Sequence, residues 1–119
     1  MDTLLDVGEF QLEFNNILQT NFPINKIKQS SGLIKHIKSK HPNCLQYIPN
    51  ISTIISSPDY IGMNPSHPDS FELIKNLGDN VLLAIKLDSS NNYYFVASLY
   101  EITNQKLKHN LSNGRFKVI

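Results

Sequence analysis

Residues Ser30 to Pro42 read SSGLIKHIKSKHP and hold two histidines, His36 and His41, and three lysines, Lys35, Lys38 and Lys40, with no acid among them. The ordinary pKa of histidine, roughly 6.5, lets it both take and give a proton near neutral pH. Lysine supplies fixed positive charge for an anion. Carried on one short element, these residue types point to acid–base chemistry on a phosphate-bearing substrate. A solvated basic helix that does nothing has the same composition.

A second group lies in the later half. Lys86 interrupts the apolar run Leu82-Leu83-Ala84-Ile85-Lys86-Leu87. Ser98 and Tyr100 interrupt Tyr93 to Ile102, where alternation places them on one strand face with Tyr94, Val96 and Ile102. A serine and a tyrosine on a central strand, beside a lysine on its neighbour, suit a phosphate. Ordinary hydroxyl packing with satisfied hydrogen bonds suits the same pattern. Gly114-Arg115 reads as a turn followed by a bidentate phosphate donor.

The elements that must position these groups follow from spacing. Ser30 or Ser31 is placed to cap a helix from about Leu33 to Lys40, with Leu33, Ile34 and Ile37 facing the core. His36 then flanks the buried stripe. His41 falls over it at the helix C-terminus, where an imidazolium meets the negative end of the helix dipole or simply caps the last carbonyls. Pro42 ends the helix at His41 and opens a second one, with Cys44, Leu45, Ile48, Ile51, Ile54 and Ile55 as its apolar side and Pro49 as an interruption. Residues 1–20 mix helical spacing with alternation and read as a leading helix or strand. Tyr60 to Gly62 reads as a short strand, and Phe71 to Leu77 fits either a strand or a helix. Val81 to Leu87 and Tyr93 to Ile102 are strands, joined through Asp88-Ser89-Ser90-Asn91-Asn92. Helices first and strands afterwards predict an α+β fold with a mostly antiparallel sheet.

A length of 119 residues predicts one domain. The 40% hydrophobic and 18% charged content argues against disorder. The lone Cys44 excludes an internal disulfide and a cysteine-based metal motif, and reads as a small buried hydrophobe. His36 and His41 are five apart, which does not set two ligands on one helical face, so no metal site is expected. His67 and His109 fall in loops. No Gly-rich phosphate loop, zinc ribbon or nucleophile elbow is present, and no cofactor is expected. The opening Met1-Asp2-Thr3 shows no secretory pattern and no apolar run approaches a membrane span, so the expectation is a soluble, cytoplasmic protein. Net charge is only +1, but its distribution is uneven. Phe14 to Pro58 contains no acid and holds Lys26, Lys28, Lys35, Lys38 and Lys40. After Glu101 come only Lys106, Lys108, His109, Arg115 and Lys117. Two such stretches can line one positive groove for a polyanion, or merely solvate two surfaces.

An ordered set of short strings carries a resemblance. These are Ser31-Gly32-Leu33-Ile34-Lys35-His36-Ile37 with Lys40-His41-Pro42, then Pro58-Asp59-Tyr60-Ile61-Gly62, Phe71-Glu72-Leu73-Ile74-Lys75, Asn80 to Leu87, Val96-Ala97-Ser98-Leu99-Tyr100 and Asn113-Gly114-Arg115. In this order the region from Ile27 to Lys117 resembles the phage-associated nuclease-like domains of the barnase–EndoU–colicin–RelE group. Residues 1–26 stand outside it as an extension or leading element. The resemblance implies two or three N-terminal helices packed on a roughly four-stranded antiparallel sheet, and metal-independent cleavage of RNA, with the choice among tRNA, mRNA and other RNA left open. It implies His36 and His41 as acid and base, without saying which is which. Ser98 and Tyr100 would orient the scissile phosphate or ribose. Lys75, Lys86, Arg115 and Lys40 would contact phosphate. Asp59 and Tyr60 match a family string that serves turn formation and packing equally well. Domains of this kind often act as toxins of prophages or mobile elements, which implies an antitoxin or immunity protein as partner. A non-catalytic RNA- or protein-binding module of the same fold is the alternative.

Overall fold

The computed structural model describes residues 4–119. Strand β1 (Leu4–Glu9) and helix α1 (Leu12–Leu18) precede β2 (Lys26–Ser30) and α2 (Gly32–Lys40). A 3-10 helix (Pro42–Asn50) and α3 (Ile51–Ser56) follow, then β3 (Tyr60–Gly62), β4 (Ser70–Asn76), β5 (Asn80–Asp88) and β6 (Tyr93–Ile102). Helix α4 (Asn104–Ser112) and β7 (Phe116–Val118) close the chain. Among the described residues the seven strands form one sheet in the order β1-β2-β6-β5-β4-β3-β7. Its pairings are antiparallel except β2 with β6, which run parallel.

This mixed sheet with four α-helices corrects the expected four-stranded antiparallel sheet behind two or three N-terminal helices; the α+β class stands. The strands that were not expected, β2 and β7, are short, and few of their residues carry any alternation; the leading segment, read as a helix or strand, holds both, β1 and then α1. Helix α4 was missed because its buried positions are only Leu107 and Asn110, too few for a periodic stripe. Its one local signal is Thr103, whose hydroxyl accepts from the Lys106 N–H at 3.1 Å as an N-cap. His109 therefore lies on a helix, not in a loop. Of the stretch Phe71 to Leu77, all but Leu77 resolves as strand, because Phe71 to Ile74 are buried on both faces between β3 and β5.

The prolines act as their geometry requires. Helix α2 ends at His41, whose N–H still reaches the Ile37 carbonyl at 2.7 Å. Pro42 opens the 3-10 segment, and α-helix resumes only after Pro49. One face of the sheet is covered by α1, α2, the 3-10 segment and α3. There Phe71, Leu73, Leu83, Ile85, Tyr94 and Leu99 meet Phe14, Leu33, Ile37, Tyr47 and Ile54. Phe10 stands at the aromatic centre, with ring centroids 5.2 Å from Phe71 and 5.3 Å from Tyr94, so the leading segment is built into the core. Ile34 is 48% exposed and stands outside the expected stripe. On the opposite face, α4 covers only part of the sheet, through Leu107 against Ile74, Leu82, Ile102 and Phe116.

Two core phenols give the fold a pH limit. Tyr94 donates to the Pro23 carbonyl at 2.7 Å, and burial pushes its pKa up. Tyr47 donates to Asp79 at 2.7 Å, and that carboxylate, with burial, pushes it up to about 12. A phenol whose pKa is higher folded than unfolded contributes stability that is complete below the unfolded value of about 10 and is lost as pH rises through the folded value. The melting temperature is therefore expected to fall between about pH 10 and 12, less steeply in Tyr47→Phe. Circular-dichroism melts across pH 8–12 check this, and a wild-type profile that stays flat to pH 12 would refute it.

Candidate active site

The open part of the second face is organised by strand register. Gly62 pairs with Glu72, Glu72 with Ala84, and Ala84 with Ser98, so these four form one row across β3, β4, β5 and β6. Tyr60, Ile74, Leu82 and Tyr100 form the next row. Gly62 and Ala84 are the small members of the first row. Phe116 packs over Gly62, while the small Ala84 leaves a trough between Glu72 and Ser98, whose backbones lie roughly 10 Å apart from two strand spacings.

A β-bulge puts Ser98 and Tyr100 here. Ala84 pairs with Ser98 but Ile85 pairs with Val96, which leaves Ala97 as the extra residue. The bulge reverses the alternation. Tyr94 and Val96 face the core with Leu99, whereas Ser98 and Tyr100 share the opposite face with Ile102. This corrects the expected single face from Tyr94 to Ile102.

Helix α2 runs beside β6 and is fastened to the core by Leu33 and Ile37. His36 and His41 are thereby brought to the rim of the trough. His36 Nε2 stands 3.3 Å from Ser98 Oγ, and the His41 ring lies 5.3 Å from that of Tyr100, centroid to centroid. The two imidazole centroids are 6.2 Å apart. A cavity of about 350 Å³ opens beside His41, lined also by Lys40, Asn43, Tyr100 and Glu101 among others.

From the far edge of the sheet, Arg115 reaches in over β3. Its Nη2 donates to Glu72 Oε1 at 2.7 Å, with the Glu72 side chain 8% exposed and that of Arg115 28%. The Arg115 Nε is buried and has no hydrogen-bond partner among the described residues. Tyr100 is held protonated above the ordinary phenol range, first by burial and then by the Glu72 carboxylate, with Arg115 pulling the other way. A guanidinium, a buried carboxylate, a neutral phenol and two imidazoles thus share one open face. Such a set can hold an anion and move protons beside it.

A family model described as phage-Barnase-EndoU-ColicinE5/D-RelE like nuclease3 matches residues 6–109. The chain belongs to this family. No match was found among curated proteins or among solved structures. The matched span of this phage nuclease-like family begins inside β1, well before the expected Ile27, and stops before Arg115.

Within this nuclease-like domain the residues singled out from the sequence are placed unevenly. His36, His41, Ser98 and Tyr100 come together, with Lys40 beside His41 and Arg115 across the trough. Lys86 shares the face one row further along, exposed and opposite Ser70. Lys75 does not join them. Its odd place in β4 turns it to the other face, where Nζ donates to the Ser57 carbonyl at 2.7 Å. Asp59 secures the same region by accepting from the Asn76 N–H at 2.8 Å. Cys44 is buried, which pushes its thiol pKa up. Among the described residues no group of three or more His, Cys, Asp or Glu side chains is set to hold a metal ion, and no helix is long and apolar enough to cross a membrane.

Glu72 is the residue that sequence reasoning missed. Its available signal was a lone acid inside Phe71-Glu72-Leu73-Ile74, because a carboxylate at an otherwise apolar strand position needs a partner. Gly62 was quoted only as part of a string. A Cβ built there would collide with the Phe116 ring and lie 2.5 Å from the Arg115 carbonyl, so the missing side chain is what lets β7 approach β3 and deliver Arg115. Gly62→Ala is expected to cost about 1–3 kcal/mol by overpacking and to lower nuclease activity with it. A thermal melt beside a nucleic-acid-cleavage time course checks this. Unchanged values in both would show that β7 is not positioned by that contact.

Proposed function

We propose that the domain is a metal-independent endoribonuclease acting through His36 and His41. The observation that carries this reading is the pair of imidazoles 6.2 Å apart at the rim of the Glu72–Ser98 row. That spacing lets both rings serve one phosphodiester from two sides. One imidazole removes the proton of the ribose 2′-OH, and that oxygen attacks the adjacent phosphorus. The P–O5′ bond breaks and the other imidazole protonates the departing oxygen, leaving a 2′,3′-cyclic phosphate. Charge gathering on the phosphoryl oxygens meets Arg115, with the Tyr100 phenol as a neutral donor. Ser98 orients His36, and Glu72 holds Arg115 at the floor of the trough.

Membership of a phage nuclease-like family supports nucleic acid as substrate. The choice of RNA rests on the paired imidazoles, which suit an attack that DNA lacks the hydroxyl to make. The test is incubation with total tRNA and with messenger RNA in EDTA, beside His41→Ala, resolved on a denaturing gel. Discrete fragments ending in cyclic phosphate, absent with the variant, are expected. Intact RNA in every lane would overturn the reading and favour the binding module of the same fold.

A further inference from the structure

One row beyond Glu72, Ala84 and Ser98, the same sheet face carries a small cavity that no proposed catalytic group enters. It measures about 230 Å³ and is lined by His67, Ser70, Ala84, Ile85, Lys86 and Ala97. We infer that it is a subsite for one unpaired nucleobase of the RNA, next to the scissile phosphate; this rests on the ribonuclease reading above.

Size sets the first bound. The cavity is below the roughly 300–1,000 Å³ typical of sites for drug-sized ligands, so it suits a single planar ring system and not a whole nucleotide. Its lining sets the second. The apolar walls come from the two alanines, the Ile85 side chain lying in the core on the other face, while His67, Ser70 and Lys86 supply the polar groups, which matches a ring with apolar faces and a polar edge. Ala97 is there because it is the extra residue of the β6 bulge, so the irregularity that turns Ser98 to the catalytic row also shapes this wall.

His67 is held in place by its backbone. Its N–H donates to the Asn64 carbonyl at 2.9 Å, and its own carbonyl accepts from Ser70 N–H at 3.1 Å and Ser70 Oγ at 2.9 Å. The imidazole remains exposed at the cavity, where it can stack on a splayed base, as aromatic and histidine rings do in single-stranded RNA recognition. Position agrees as well. Ser70 and Lys86 pair two residues along from Glu72 and Ala84, roughly 7 Å away on the strand rise, and Ala84 borders both regions. A strand with its scissile phosphate at the Glu72–Ser98 row places a neighbouring nucleotide here, with the Lys86 ammonium beside its backbone.

The test is NMR titration of the full chain with each of the four ribonucleoside monophosphates and, separately, with ribose 5-phosphate. At least one nucleotide is expected to shift the His67 ring and the Ala84 and Ala97 methyl signals saturably, while ribose 5-phosphate leaves them in place. Ala97→Leu should abolish those shifts and raise KM for RNA roughly tenfold, the scale of one lost base-stacking contact, with kcat unchanged. His67→Ala provides the same readout should the leucine disturb the bulge. Equal shifts with ribose 5-phosphate would reduce the cavity to an anion site and overturn the inference, as would no shift with any nucleotide. Cleavage of RNA without the shifts defeats the subsite alone. The shifts without cleavage uphold base binding and defeat the nuclease.

Discussion

His41→Ala is expected to slow RNA cleavage by roughly 10²–10⁴-fold, the usual contribution of one positioned general acid or base, and His36→Ala by a similar factor. The double variant should be little worse than either single one, because residues that act as a unit in one reaction are strongly non-additive. Neither loss should come from unfolding. His36 is exposed and His41 half-buried, and α2 is anchored through Leu33 and Ile37, so melting temperatures should stay near wild type. The pH dependence separates acid–base roles from mere binding. One imidazole must be neutral and the other protonated, so the wild-type rate should be bell-shaped in pH, and each variant should lose one limb. The limb that each loses assigns base and acid. Ser98→Ala should cost much less, about tenfold, because its hydroxyl only orients His36 at 3.3 Å. Rates measured on one defined RNA across pH 5–9 decide the matter. A His41→Ala enzyme with more than a third of wild-type activity would remove His41 from the chemistry.

What the sequence disclosed depended on how local the signal was. The cluster from Ser31 to Pro42 encodes its own geometry: a helix, a proline that stops it, and two histidines whose placement follows from spacing. The pairing of those histidines with Ser98 and Tyr100 was legible only through the family resemblance, since nothing local links residues 62 positions apart. The bulge at Ala97 was not legible, because an inserted residue leaves the run Tyr93 to Ile102 looking like one regular strand. Without the bulge Ser98 would lie on the core side. The edge strand β7 and the short β2 are fixed by tertiary pairing, so short apolar stretches such as Phe116 to Val118 carried no signal of their own. Glu72 shows the opposite case, a loud local anomaly whose meaning depends on Arg115, 43 residues away.

That long-range pair carries the second large effect. Arg115→Ala is expected to reduce cleavage by roughly 10²–10³-fold, the scale of removing one preorganised donor from a developing charge. It should also destabilise the fold by about 3 kcal/mol, the low end for stripping one partner from a buried ion pair, since Arg115 itself keeps 28% of its side chain exposed. The two losses have different origins and can be separated. Glu72→Gln combined with Arg115→Met removes both charges, so no carboxylate is left buried alone, and stability should recover most of the deficit. Activity should not recover, because the guanidinium that meets the phosphoryl oxygens is gone and only the neutral Tyr100 donor is left. Arg115→Lys restores the charge but not the planar fork, so it should regain stability more fully than rate. Chemical denaturation and single-turnover cleavage of the four proteins complete the comparison. Should the double variant cleave at the wild-type rate, the ion pair would be a fastening between β7 and β4 only, and the phosphate would be held by the cations of α2 instead.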